Sequence, residues 1–396
     1  MKKLYYKNQY IKNFNTKIKN IIYKDNLYHI ELEETAFFPG GGGQRADLGF
    51  IDNKKVIDVY EDGKIIYHIL NEELEVGKEV YCEIDWKRRE DGMHNHLGQH
   101  ILSGCFFKLF NANTVSIHLG NDISTVDIVG SLNENEIREA ENLANEIINN
   151  NVKIEFLTVD KEEALNLNLR RDLPNTDEEI RVVKIGDLDI NACCGVHPSS
   201  TLDLRMIKIK KFEKNKGNTR IYFLAGEKAI KDSLNKDNIL REVSNYLSSS
   251  DEEILNGIKN LKDTINNIYK EKRNLEDELL EYEKNKLLLS AVKDKKYKVI
   301  KNTFSNKPVD YVIKLANEIT KDNDYICLFA IEEKDNINII FTSSKNIEDL
   351  DLSYIFNKNK DSIGAKGGGK KNFVKGFVKS ENIDEFINNI YSEIIN

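Results

Sequence analysis

Long apolar runs are missing from this chain of 396 residues, and nothing in it approaches the roughly 20 consecutive apolar residues that a membrane-crossing helix requires. The first twenty residues carry lysines but no unbroken apolar segment, which argues against a secretory signal. Cysteine is scarce. Cys82, Cys105, Cys193, Cys194 and Cys327 are odd in number and scattered, so they make no disulfide framework and suit a reducing cytoplasm. Positive charge is not in excess either: 58 basic against 66 acidic residues give a net −8. That excludes a generic nucleic-acid coat but leaves room for local basic patches. The remaining balance, 40% hydrophobic and 31% charged, is that of a soluble globular protein. The length allows about two to four domains.

Histidine is also rare, with seven in the chain, yet three of them fall within two short stretches. His96-Leu-Gly-Gln-His100 places two imidazoles four residues apart, on one face of a helix. Cys193-Cys-Gly-Val-His197 supplies a thiol and a third imidazole at the same spacing. Imidazole and thiolate are the ligands Zn²⁺ prefers, so His96, His100, Cys193 and His197 form a candidate tetrahedral zinc set. Leu97 follows the first histidine where a zinc peptidase needs its general-base glutamate, so peptidase chemistry is excluded. His94 lies off the metal-facing side, and His118 reads equally as support for the site or as structure. Cys194 points away from Cys193 along a strand and is expected to be inert.

Alternating residues up to about position 85 predict a small antiparallel β-barrel or meander, with a turn at Asp62-Gly63. Within it lies Thr35-Ala-Phe-Phe-Pro-Gly-Gly-Gly-Gly-Gln44. Four glycines in a row suit a flexible surface loop, or a backbone that must approach a ligand closely with its N–H groups free. The sequence predicts a helix from Arg88 to about Phe110 carrying the histidine pair. A second runs from Asn133 to Asn150 with Ile137, Ala140, Leu143, Ala144 and Ile147 inward. Strands follow at 152–159, 180–190, 204–211 and 219–224. Residues 251–290 hold a heptad seam from Ile254 and Ile258 to Tyr282 and Leu289, interrupted by Lys272 and Lys286, which predicts a long helix paired with another helix. The last hundred residues read as a separate α+β unit ending in a helix from about Asn382. Seven lysines face one acid between Lys358 and Lys379. The core of that segment, Lys366-Gly367-Gly368-Gly369-Lys370, lacks the Walker spacing, so a glycine loop against an RNA backbone and a merely solvated basic loop are its two readings.

Together these motifs closely resemble the alanyl-tRNA editing proteins, the free-standing relatives of the alanyl-tRNA synthetase editing domain. The resemblance rests on Phe38-Pro-Gly-Gly-Gly-Gly-Gln44 with Asp47 and Gly49, on His96 and His100, on Ser116-Ile-His118-Leu-Gly, on Cys193 and His197, and on the heptad helix followed by Lys366–Lys370. It implies an α+β fold in four parts: a barrel with the glycine motif at 1–85, a zinc-binding editing domain at 86–235, a heptad linker at 236–292, and a tRNA-binding, dimerising domain at 293–396. It implies a zinc-dependent hydrolase that removes a wrong amino acid, serine or glycine, from mischarged tRNA(Ala) in trans. Thr35 and Gln44 are candidates for reading the serine hydroxyl, with the Gly41, Gly42 and Gly43 backbone as donors. Lys366 to Lys370 are candidates for tRNA contact, and a cytoplasmic homodimer is the expected state. Where the family commonly has threonine, this chain has Leu97 and Val196, and loss of those hydroxyls is expected to alter substrate polarity or rate. The alternatives are an editing enzyme for another mischarged tRNA and a non-catalytic, zinc-stabilised, dimeric tRNA-binding protein.

Overall fold

A computed structural model describes residues 1–173, 178–293, 296–333, 336–379 and 383–395. The chain is mixed α+β and divides into two compact units, Met1–Asn245 and Tyr246–Asn396. Among the described residues no helix is long and apolar enough to cross a membrane.

In the first unit, antiparallel pairing closes six strands into a ring: Asn13–Lys24, Leu27–Leu32, Ile65–Leu70, Lys54–Asp62, Gly49–Ile51 and Glu79–Ile84, which returns to Asn13–Lys24. Alternate side chains, among them Ile18, Ile30, Val59, Ile66 and Val80, turn inward and bury one apolar core. Helix Trp86–Phe110 follows, capped by Asp85, whose side chain accepts the Arg88 N–H, and ended by Asn111 in the left-handed conformation. The middle of this helix is buried on all sides, which is why its apolar residues do not form a single stripe. Met93 packs into the barrel core, while Leu97, Ile101 and Phe106 enter a second core.

That second core lies between the helix, a sheet of Ile207–Asn215, Asn218–Ala225, Ser124–Ile128 and Thr114–His118, and helix Glu134–Asn149. Ile137, Ala140, Ala144 and Ile148 are the deep positions of this last helix, and Leu143 and Ile147 are half-buried at its margin. A three-stranded sheet of Ile154–Val159, Ile180–Ile185 and Asp189–Ala192 delivers Cys193. Leu204, expected in a strand, instead closes the 3₁₀ turn Thr201–Leu204, with the Ser200 side chain capping its first residues.

In the second unit, helix Ile254–Leu289 spans the expected heptad region. It buries Leu280 and Leu287 against helix Val309–Ile319 and its sheet, a different stripe from the heptad seam. Beyond Ile254, which is buried, the seam faces outward: Ile258, Leu261, Ile265, Ile268, Leu275 and Leu279 are all exposed. The sheet order is Val292–Lys293, Lys298–Ser305, Tyr325–Glu332, Ile337–Ser343, Phe373–Val378 and Lys366–Lys370. The expected start of the last helix at Asn382 lies outside the described residues; the helix is described over Ile383–Ile395, with Ile383, Phe386, Ile390 and Ile394 inward.

The segment Lys366–Lys370 is therefore an edge strand and not a glycine loop. Pairing with Phe373–Val378 brings the backbones so close that a Cβ at Gly369 would lie 1.9 Å from the Phe373 carbonyl oxygen. The glycines serve that approach, and the lysines stand exposed at either end.

Candidate metal centre and its supporting shell

His96 and His100 project from the buried helix toward the turn after Ala192, where Cys193 and His197 meet them. The ligand atoms of all four residues lie within 4.8 Å of one another. Cys193 Sγ is 3.5 Å from His96 Nε2 and 3.7 Å from His197 Nε2. A tetrahedral zinc site with ordinary Zn–S and Zn–N bonds has an S···N edge of about 3.6 Å, so the donors fit that ion. The buried His100 Nε2 has no hydrogen-bond partner among the described residues, as befits a nitrogen reserved for a metal.

Two of the Nδ1 atoms are spoken for, while that of His197 has no partner among the described residues. His100 Nδ1 donates to Asp189 Oδ2 at 2.9 Å, and His96 Nδ1 donates to Gln44 Oε1 at 3.1 Å. Each acceptor fixes the tautomer that turns Nε2 toward Cys193. Asp189 is in turn held by Arg170 Nε at 2.6 Å and by the Asn191 amide. Burial alone would push the Cys193 thiol up, but the imidazoles of His96, His197 and His100 outweigh it and hold the thiol well below its ordinary value. Burial lowers His197 to about 3. His100 is also driven down by burial, but its hydrogen bond to Asp189 and the nearby Cys193 sulfur overcome this and raise it to about 9.

Local geometry explains the sequence around these donors. A Cβ at Gly195 would lie 2.3 Å from the His96 ring, so only glycine lets the strand end turn past it. Arg181 donates to the carbonyls of Cys193 and Gly195, both at 2.9 Å, and its guanidinium is sandwiched between the Tyr6 and Phe156 rings. The Tyr6 hydroxyl donates to the Cys194 carbonyl at 2.7 Å. On its open side Cys193 borders a cavity of about 630 Å³ lined also by Lys3, Tyr6, Arg171, Arg181 and Cys194.

The glycine run is an ordered turn. Gly41 and Gln44 exchange backbone hydrogen bonds of 2.9 and 3.0 Å, and Gly42 has φ +60°. A Cβ on Gly42 would sit 3.4 Å from the His96 ring, so the turn walls the metal centre. The Gly41 N–H, expected to be free, is spent on Gln44; those of Gly42 and Gly43 enter no described backbone hydrogen bond. Beneath the turn, Asp47 accepts the Phe38 N–H at 2.6 Å and pairs with the buried Arg89, which also donates to the Ala36 carbonyl.

The expected hydroxyl readers are placed differently. The Gln44 oxygen is committed to His96 and to the Val196 N–H at 3.0 Å, so it supports the metal centre. Thr35 is fully buried; its hydroxyl donates to His68 Nε2 at 2.8 Å and accepts the Phe37 N–H at 3.1 Å, away from the four ligands. Leu97 and Val196 are buried, one in each of the two apolar cores. His118 stands exposed at a strand end outside the cluster, and His94 is buried against the Gly226 backbone. Sequence reasoning missed Arg89, Arg170, Arg181 and Asp189, because each acts from a segment remote in sequence from its partner.

The model of the threonyl and alanyl tRNA synthetase second additional domain matches residues 180–222, and that of the class II (A) tRNA synthetases matches residues 3–88. The chain is 29% identical to alanyl-tRNA editing protein AlaX-L of Pyrococcus horikoshii, over 96% of this chain and 95% of that protein. It is 30% identical to alanyl-tRNA editing protein Aarsd1-B of Xenopus laevis, over 78% of this chain and 75% of that one. Identity is also 30% with the alanine–tRNA ligase of Sulfurisphaera tokodaii, across 100% of this chain but only 44% of the ligase.

Proposed function

This chain belongs to the alanyl-tRNA editing proteins, and from that membership we propose that it hydrolyses, in trans, the ester joining a wrong amino acid, serine or glycine, to the 3′-terminal ribose of tRNA(Ala). The observation that carries the reading is the convergence of three imidazoles and one thiol beneath an ordered glycine turn. Zinc bound by His96, His100, Cys193 and His197 would have a closed shell, so it would either orient the amino end of the substrate or, with one ligand released, supply electrophilic polarisation. Gln44 and Asp189 keep a proton on Nδ1 of His96 and His100, which leaves both Nε2 atoms to the metal. The N–H groups of Gly42 and Gly43 are suited to an oxygen that gains negative charge during ester cleavage. Lys3, Arg171 and Arg181, which share the lining of the adjoining cavity with Asp172, Glu178 and Glu179, would take the phosphates of the acceptor end.

In this reading residues 1–85 and 86–235 form the editing module, 236–292 the helical linker, and 293–396 the tRNA-binding domain. Lys366 and Lys370, with the bare backbone of Gly367 to Gly369 between them, contact the tRNA backbone, and the exposed heptad seam makes a homodimer in the cytoplasm. The test is hydrolysis of Ser-tRNA(Ala), with Ala-tRNA(Ala) and Ser-tRNA(Ser) as controls, before and after zinc chelation. Rapid, metal-dependent loss of serine from tRNA(Ala) alone is expected. No hydrolysis by folded, zinc-loaded protein would overturn the reading in favour of a non-catalytic binding protein.

A further inference from the structure

In the C-terminal unit, a cavity of about 400 Å³ opens beside the turn of the lysine-glycine hairpin. Strand Lys366–Lys370 returns through Lys371 and Asn372 into Phe373–Val378, and Asn372 and Phe373 line the cavity. Asn317, near the C-terminal end of helix Val309–Ile319, lines it from a second element. Thr342 and Ser343 close its buried side from the end of strand Ile337–Ser343.

Three features of this cavity ask for a ligand. Ser343 Oγ, at 4% exposure, has no hydrogen-bond partner among the described residues, and Thr342 Oγ1, at 1%, has at most the weakly accepting Cys327 thiol across the sheet. A hydroxyl in that state costs stability unless something polar meets it. The side-chain amides of Asn317 and Asn372 are exposed and enter no described hydrogen bond, so both donors and acceptors are available. Finally, no carboxylate lines the cavity although the chain carries 66 acidic residues, whereas Lys345 does.

We propose that this cavity receives one unpaired nucleobase of the bound RNA. The base has a flat face for Phe373 and a mixed donor and acceptor edge for the two amides and the Thr342 hydroxyl, which lies on the same sheet face as helix Val309–Ile319. Lys345, Lys370 and Lys371 would then take the phosphates on either side of it. The volume lies within the range of small-ligand sites. The proposal rests on the reading of this unit as RNA-binding and adds a base-reading site to what is otherwise a phosphate contact.

The test uses the full-length protein and labelled tRNA(Ala) transcript, with affinity measured across a salt series and circular dichroism confirming the fold of each variant. Asn317→Ala and Asn372→Ala, both exposed positions, and Thr342→Val are expected to weaken binding about tenfold each without changing the slope of log K against log salt. Lys370→Ala and Lys371→Ala are expected to weaken binding and to lower that slope by about one each, because they release counterions. Chemical probing is expected to show one loop base protected by the wild type and reactive with Asn317→Ala. If the lysine variants behave so while the Asn317 and Asn372 variants bind like the wild type and no base is protected, the proposal is overturned and the RNA-binding reading stands. If neither set affects binding, that reading itself fails and the proposal with it. Tight binding of free GMP or CMP that leaves tRNA affinity untouched would instead make this a small-molecule site and overturn the proposal.

Discussion

Gln44 Oε1 accepts two hydrogen bonds at once, from His96 Nδ1 at 3.1 Å and from the Val196 N–H at 3.0 Å. One oxygen thus couples the glycine turn to a ligand on the buried helix and to the backbone between Cys193 and His197. Gln44→Leu is expected to lower zinc affinity by about 10- to 100-fold, measured by chelator competition, and to reduce deacylation in parallel. Unchanged affinity would mean that packing alone orients His96.

Asp189 does the same for His100 but from a more charged setting, since Arg170, only 4% exposed at its side chain, depends on it for its counter-charge. Asp189→Asn should therefore act twice: zinc affinity falls, and urea unfolding of the metal-free protein shows a loss of about 3–5 kcal/mol from the stranded guanidinium. A variant that loses zinc affinity with no loss of metal-free stability would contradict the second half.

The Asp47–Arg89 pair is buried at both ends and anchors the turn through Phe38 and Ala36. Removal of either partner leaves an uncompensated buried charge, so Asp47→Ala and Arg89→Leu should each cost about 3–5 kcal/mol. The double variant Asp47→Leu/Arg89→Leu should cost clearly less than the sum, by urea denaturation, because it removes both charges together.

His68 is fully buried with Nδ1 on the Ile30 carbonyl and Nε2 on Thr35, and burial lowers it from 6.5 to about 4. Protons then bind the unfolded chain more readily than the folded one between those values. Its contribution is complete above pH 6.5 and is lost as pH falls through about 4, a change on the order of 3 kcal/mol. The stability difference between wild type and His68→Gln, followed by denaturant titration from pH 7 to pH 4, should shrink toward acid by that amount. A difference independent of pH would show that His68 is not held neutral.

Ile265 and Leu275 lie on the outward heptad seam of helix Ile254–Leu289, at 44% and 59% exposure, while its inward stripe is satisfied by Leu280 and Leu287. On the proposed reading this apolar row, interrupted by Lys272 and Lys286, pairs with the same helix of a second copy. Light scattering should give twice the chain mass for the wild type, and Ile265→Asp with Leu275→Asp should give the single mass with unchanged helix content.

The sequence determined by itself whatever repeats at short range. Alternation at Leu27–Leu32 and Ile65–Leu70, the heptad steps after Ile254, and the spacing of His96 with His100 and of Cys193 with His197 were all legible, because backbone period alone decides which side chains share a face. Only the tertiary structure decided what those faces meet. It joined two ligand pairs 97 residues apart, as the Cys193–His96 contact shows, and brought Gln44, Asp189 and Arg181 around them. It turned Gln44 and Thr35 from free hydroxyl readers into partners of His96 and His68. It also made Lys366–Lys370 an edge strand, since three glycines permit a close backbone pairing that local preference would have left as a loop. A hydrogen bond between distant segments leaves no period in the chain, and so no sequence pattern could have announced it.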